Sequence, residues 1–211
     1  MKNSLIIITL FIALINMNLF SQNIEQPVHG TKSGWIPLQN NDSGIWIGYT
    51  ETTNIDWCRT ISLLPYNIDR ISKMIEDKGN YYKIFDRVTS STIVRDDVVH
   101  IRIDMPFPIS DRDYVVRYTI EDRFNEISYK FESAKDIYIP KFSSSIRLPN
   151  AVGEWYLRRI DDISTEVIYT WNGELGGDFP SFALTRAWTT QGNEMIVWLR
   201  ESLDERYINR E

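Results

Sequence analysis

Asp104–Val116 reads DMPFPISDRDYVV. Pro106 and Pro108 flank Phe107, the charged run Asp111, Arg112, Asp113 follows, and the chain then returns to Tyr114, Val115 and Val116. The residues before this stretch alternate in character. Val99, Ile101, Ile103 and Met105 fall on one side of an extended chain, and His100, Arg102 and Asp104 fall on the other. The residues after it alternate too, with Tyr114, Val116, Tyr118 and Ile120 sharing a direction. Prolines fix φ and remove backbone donors, so a proline pair between two strands makes a stiff loop. The charges sit at the base of that loop, which places them over an apolar layer and not in a catalytic cluster.

Working outward, further alternating segments appear. GIWIGYTE puts Ile45, Ile47 and Tyr49 on one face, and DWCRTISL puts Trp57, Arg59 and Ile61 opposite Cys58 and Thr60. EISYKFES, KFSSSIRLP, GEWYLRRID and TEVIYTWNGE add four more strands, with polar turns such as Asp161-Asp162 between them. Short connections predict an antiparallel meander. Between the early strands, PYNIDRISKMIEDKGN predicts a helix with Asn67 as N-cap, Ile68, Ile71 and Ile75 on one face and Gly79 as terminator. A strand is expected after it, from about Ile84 to Arg95. A final helix is expected from about Pro180 to Glu205, with an apolar stripe through Leu184, Trp188, Met195, Trp198 and Leu199. The class is α+β, a curved antiparallel sheet whose concave face needs that helix laid across it. A sheet gripping a helix leaves room for a cavity between the two.

Composition narrows the partners. Basic residues number 23 against 29 acidic ones, a net charge of −6 that argues against nucleic acid. Lys2 followed by the apolar run Leu5–Ile15 has the length of an export signal and is too short to span a bilayer. Residues 1–21 are expected to be removed near Ser21–Gln22, residues 22–33 to form a flexible lead, and residues 34–205 to form one domain acting outside the cytoplasm as a monomer. Cys58 is the single cysteine, which excludes an intramolecular disulfide. The two histidines, His29 and His100, and the lack of any metal-ligand spacing predict no metal, no cofactor and no catalytic residue.

The ordered set of motifs resembles the StAR-related lipid transfer (START) domain, within the wider helix-grip superfamily. The pieces are Gly34–Glu51, the helix near Ile68–Ile75, P-x-S-x-R-D at Pro108–Asp113, G-x-W at Gly153–Trp155 and G-G-x-x-P at Gly176–Pro180 before the last helix. The resemblance spans about Gly34 to Ser202. It implies about nine strands, a C-terminal helix acting as a lid, and an internal cavity for one hydrophobic molecule, loaded through transient membrane contact. Phe107 would then cover apolar surface, and Arg112 between Asp111 and Asp113 would secure the loop base. Gly176, Gly177 and Pro180 would connect sheet to lid and serve as its hinge. Cavity candidates are Phe107, Trp155, Leu157, Arg159, Tyr169, Trp171, Phe179, Leu184, Trp188, Met195, Trp198 and Leu199. An inward Arg159 would need an acidic partner or an anionic headgroup, because an unpaired buried charge is costly.

Two other readings stand beside a lipid carrier. A helix-grip enzyme resembling polyketide cyclases or aromatases would draw its polar groups from Arg159, Tyr169, Tyr118 and His100. An interaction module would fill its cavity with its own side chains, for which seven tryptophans and eleven tyrosines are available.

Overall fold

The computed structural model describes residues 27, 32–40, 43–52, 55–141, 144–172, 175, 176, 179 and 181–208. The expected export signal, most of the lead before Gly34, Gly177 and Pro180 lie outside them. The described residues form strands β1 (Ile36–Asn40), β2 (Ile45–Glu51) and β3 (Asp56–Leu64), then helices α1 (Ile68–Glu76) and α2 (Tyr81–Ile84). Strands β4 (Val88–Arg95), β5 (Val98–Ile103), β6 (Asp111–Arg123) and β7 (Glu126–Ser133) follow. The short β8 (Ser145–Arg147), β9 (Val152–Arg159), β10 (Thr165–Asn172) and the long helix α3 (Leu184–Tyr207) complete the chain.

These strands build one curved sheet in the order β1-β2-β3-β10-β9-β7-β6-β5-β4, with β8 parallel to the start of β6. This is the α+β helix-grip architecture, but it is not a simple meander. The chain leaves β3 and crosses on α1 and α2 to the far edge at β4, so β10 returns beside β3, with Thr165 opposite Leu64. Alternation predicts that a strand exists. Its neighbours are set by where the apolar helices between strands come to rest.

Asn67 caps α1 as expected, its Oδ1 accepting from the Arg70 N–H at 3.0 Å. The helix ends at Asp77, before Gly79, which sits in a 3₁₀ turn over Lys78–Asn80. The strand expected from about Ile84 begins at Val88, and Ile84 instead closes a short helix. Tyr81–Ile84 is helical, because Tyr81 and Ile84 pack inward while Tyr82 and Lys83 face water.

Helix α3 begins at Leu184 after a 3₁₀ turn over Ser181–Ala183. Its buried face is Trp188, Gly192, Ile196, Leu199 and Leu203, spaced at whole turns. Gly192 lets the helix approach β2 closely: a Cβ there would lie 3.0 Å from Ile47 Cδ1. Reciprocal amide bonds of 2.8 Å join Asn193 to Gln39 of β1, and Arg206 reaches Asp77 at 2.9 Å. A second apolar cluster, Trp35, Trp46, Trp57, Ile61, Val152, Tyr156 and Ile168, covers the outer face of the sheet. There Arg59 lies under the Trp35 ring at 4.2 Å and donates to Thr170 Oγ1 at 2.9 Å. Both faces of β3 are therefore buried, consistent with its central place in the sheet.

Candidate functional site

A cavity of about 330 Å³ lies between α3, the concave face of the sheet and the Asp104–Ser110 loop. Such a volume is at the small end for ligand pockets, which run from about 300 to 1,000 Å³. The sheet side contributes Tyr114 and Tyr118 from β6, Phe131 from β7, Trp155 from β9 and Tyr169 from β10. Tyr81 and Phe85, at the two ends of α2, close one side, and Met105, Pro106 and Ile109 of the loop close another. Helix α3 presents Ala187, Gln191, Glu194, Met195 and Trp198, a face next to its fully buried stripe.

The aromatic side chains form a continuous wall. Trp155 and Tyr169 have ring centroids 4.2 Å apart, Phe85 stacks on Trp155 at 5.9 Å, and Phe131 stacks on Tyr169 at 6.3 Å. The G-x-W motif has a packing reason here. A Cβ on Gly153 would come within 2.4 Å of both Phe131 Cζ and the Thr170 carbonyl, so glycine alone lets the Phe131 ring lie across β9.

Four charged residues, Arg87, Arg112, Arg186 and Glu194, are among those that line the cavity. Arg87 forms a two-pronged pair with Glu194, Nε to Oε2 at 2.7 Å and Nη2 to Oε1 at 2.6 Å, joining the start of β4 to α3. Arg112 is buried and donates to the carbonyls of Leu175, Ser110 and Gly176, the last at 3.1 Å. Its partners are thus backbone oxygens, where the sequence pointed to the neighbouring carboxylates. The arginine joins the loop to the segment before α3. Gly176 in that segment has φ +59°, a left-handed conformation that suits glycine. Burial holds the Arg112 guanidinium below its usual range, with Asp111 opposing the shift. We expect Arg112→Ala to destabilise the domain by about 3 kcal/mol, because three carbonyls lose a charged donor at once. A urea titration checks this, and an unchanged midpoint would remove Arg112 as the tie.

Asp113 is the centre of a separate polar cluster. Its carboxylate accepts from His100 Nε2 at 2.9 Å, Ser145 Oγ at 2.9 Å and Arg147 Nε at 2.5 Å. His100, for which the sequence offered no partner, is therefore paired within the sheet. It does not line the cavity, and neither does Asp111, which accepts from Arg102 at 2.7 Å.

Of the predicted cavity residues, Trp155, Tyr169, Phe179, Met195 and Trp198 line it. Leu157, Trp171, Trp188 and Leu199 are packed core side chains outside the lining, and Leu184 is half-buried against that core. Arg159 sits at the end of β9, 3.8 Å from Asp69 of α1, so it meets an acidic partner outside the cavity. Phe107 covers no apolar surface and is 97% exposed. The turn that closes with Ile109 N–H on the Pro106 carbonyl at 2.9 Å directs Pro106 and Ile109 to the cavity and Phe107 to solvent. Pro108, joined to Phe107 by a cis peptide bond, is exposed beside it. Sequence reasoning missed Tyr81, Phe85, Arg87, Tyr114 and Glu194. Tyr81 and Phe85 were hidden by the unexpected α2, while Arg87 and Glu194 lie too far apart in sequence to signal their pairing.

No family model matches the chain. An uncharacterized protein of Pseudomonas aeruginosa is 38% identical over 81 residues, 38% of this chain and 40% of that one. The chain thus matches less than half the length of this relative. Solved structures align far more fully. A STAR-related lipid transfer protein fragment from Xanthomonas axonopodis superposes with a TM-score of 0.71 over 81% of this chain and 98% of its own, at 23% identity. Human StAR-related lipid transfer protein 5 gives 0.74 over 84% and 89%, at 13% identity. The chain has the START-like fold. The Zhui aromatase/cyclase from Streptomyces shares the START-like architecture more loosely, with a TM-score of 0.51 over 72% of this chain and 96% of its own, at 16% identity. In this START-like fold the cavity lies where the long helix crosses the sheet.

Proposed function

We propose that this chain binds one hydrophobic molecule between α3 and the sheet and carries it between membranes outside the cytoplasm. The observation that supports the reading is the aromatic cavity itself, free space enclosed by Phe85, Phe131, Trp155, Tyr169 and Trp198. Removing apolar ligand surface from water is worth roughly 25 cal/mol per Å², so about 300 Å² buried returns about 7 kcal/mol before ordering costs. The START-like fold is shared with two structures described as lipid transfer proteins. A cyclase reading would draw on Tyr118 and Tyr169, which line the cavity, without His100 and Arg159, which do not. The apolar run Leu5–Ile15 after Lys2 supports export.

Membrane contact has a specific surface in this account. Phe107 at the loop tip and Phe182 just before α3 are 97% and 88% exposed, and both adjoin residues that line the cavity. Exposed aromatic rings beside an apolar opening suit the headgroup boundary of a bilayer. Replacing both with aspartate should lower the rate of transfer of a fluorescent lipid between vesicles at least tenfold while leaving equilibrium binding in detergent unchanged. Equal transfer rates for the two proteins would place the membrane contact elsewhere. If neither protein transfers or binds any lipid of a broad panel, the carrier function is lost altogether.

A further inference from the structure

Exposed apolar side chains also gather far from the cavity. Strand β6 runs thirteen residues from Asp111, beside the proline loop, to Arg123, so the β6–β7 turn lies roughly 40 Å away along the strand, at the opposite end of the sheet. Phe124 occupies that turn and is 92% exposed. The β9–β10 turn lies beside it, because the Arg159 N–H donates to the Asn125 carbonyl at 2.8 Å. Ile163 in that turn is 75% exposed, Ile160 is exposed at its start, and Leu63 is exposed on β3 opposite Glu166. The turn has a fixed shape: the Ile163 N–H donates to Asp161 Oδ1 at 2.9 Å and the Ile160 N–H to the Ser164 carbonyl at 3.1 Å. Turn positions ordinarily go to glycine, asparagine, aspartate, serine or proline, so a phenylalanine and an isoleucine there serve no local folding need. Single exposed apolar side chains are ordinary, but a group of them at one end marks a contact surface.

We propose that this end of the sheet is a second bilayer contact, with Phe124, Ile160 and Ile163 seated in the headgroup boundary of a zwitterionic membrane, so that the protein bridges two bilayers while Phe107 and Phe182 meet the other. The proposal rests on the carrier reading above and places its second membrane. The shape of the patch selects a bilayer. Its side chains project from two adjoining turns, whereas a stable protein interface takes about 20–30 residues a side on a fitted surface. Apolar side chains on an otherwise polar tip suit the boundary between headgroups and acyl chains. Charge selects the lipid. Glu121, Asp122, Glu126, Asp161 and Asp162 flank the two turns against Arg123, Arg158 and Arg159. The arginines are answered within the chain, Arg158 by Glu166 at 2.6 Å, Arg123 by Glu121 at 3.6 Å and Arg159 by Asp69 at 3.8 Å. The excess of carboxylates repels anionic headgroups and leaves zwitterionic ones as the matching surface.

The test is vesicle clustering, read by dynamic light scattering, beside co-sedimentation of the protein with the same vesicles. The full chain should raise the mean particle size of phosphatidylcholine vesicles about threefold or more, because one molecule holding two bilayers links vesicles multivalently. The double variant Phe124→Ser, Ile163→Ser should still sediment with vesicles through its other end, keep its thermal midpoint and leave the vesicles dispersed. Ile93→Ser, an exposed isoleucine on β4, should cluster them as the native chain does. Enriching the vesicles in phosphatidylglycerol should weaken clustering, and clustering that strengthens instead would overturn the zwitterionic assignment. Sedimentation without clustering, or clustering that survives the double variant, would overturn the bridge and leave the carrier standing. A native dimer that becomes a monomer in the double variant would assign the patch to a second copy and overturn the bridge as well. A native chain that neither sediments with vesicles nor transfers lipid between them would overturn both bridge and carrier.

Discussion

Asp113→Ala is expected to lower folding stability by about 3–5 kcal/mol, the loss typical of breaking a buried charged pair. The carboxylate is 0% exposed and is the shared acceptor for His100, Ser145 and Arg147. Removing it leaves the Arg147 guanidinium and the His100 ring without that acceptor and loosens the parallel pairing of β8 on β6. The pH dependence identifies the cause. Burial alone would raise the Asp113 carboxyl, but the hydrogen bonds from His100, Ser145 and Arg147 and the charge of Arg147 outweigh it, so the net shift is downward. A depressed carboxylate adds stability above its unfolded value, about 3.9, and that stability is lost as pH falls through the folded value. The gap in urea midpoint between native protein and variant should therefore be full at pH 6 and narrow below about pH 4. A gap that stays constant down to pH 2 would mean that lost packing, not ionised Asp113, accounts for the effect.

The second large effect concerns binding. Met195 projects from α3 into the cavity beside Trp198, away from the stripe that packs on the sheet. A tryptophan there should occupy the free space, reducing uptake of a hydrophobic probe at least tenfold while shifting stability by about 1 kcal/mol or less. The same substitution on the packed face of α3 would instead overpack the core. Probe titration beside a thermal melt separates the two outcomes. Uptake that persists with the indole seated in the cavity would move the binding site away from α3.

Much of the architecture was legible because local patterns carry it. Alternation in Val99–Met105 and Tyr114–Ile120 marked two strands that do pair, with Ile101 opposite Tyr114. Asn67 marked the start of α1, and the proline pair marked the turn between β5 and β6. What escaped depends on contacts far apart in sequence. Nothing local in TEVIYTWNGE reveals that β10 lies beside β3, or that Glu194 answers Arg87 across 107 positions. Arg112 shows a subtler limit. Its neighbours in sequence are acids, yet in a strand successive side chains point to opposite faces, which directed it toward the carbonyls of the segment before α3. The cavity side of α3 was only partly legible. Trp188 and Trp198 are equally apolar, and a small rotation around the helix decides that one is core and the other lining.

Native mass spectrometry of the protein isolated from its own cells, followed by solvent extraction, tests the central claim most directly. The account predicts a one-to-one adduct released as a single class of hydrophobic molecule, and its absence from Met195→Trp protein. A bare mass that persists after incubation with vesicles made from the total lipid of those cells would contradict it.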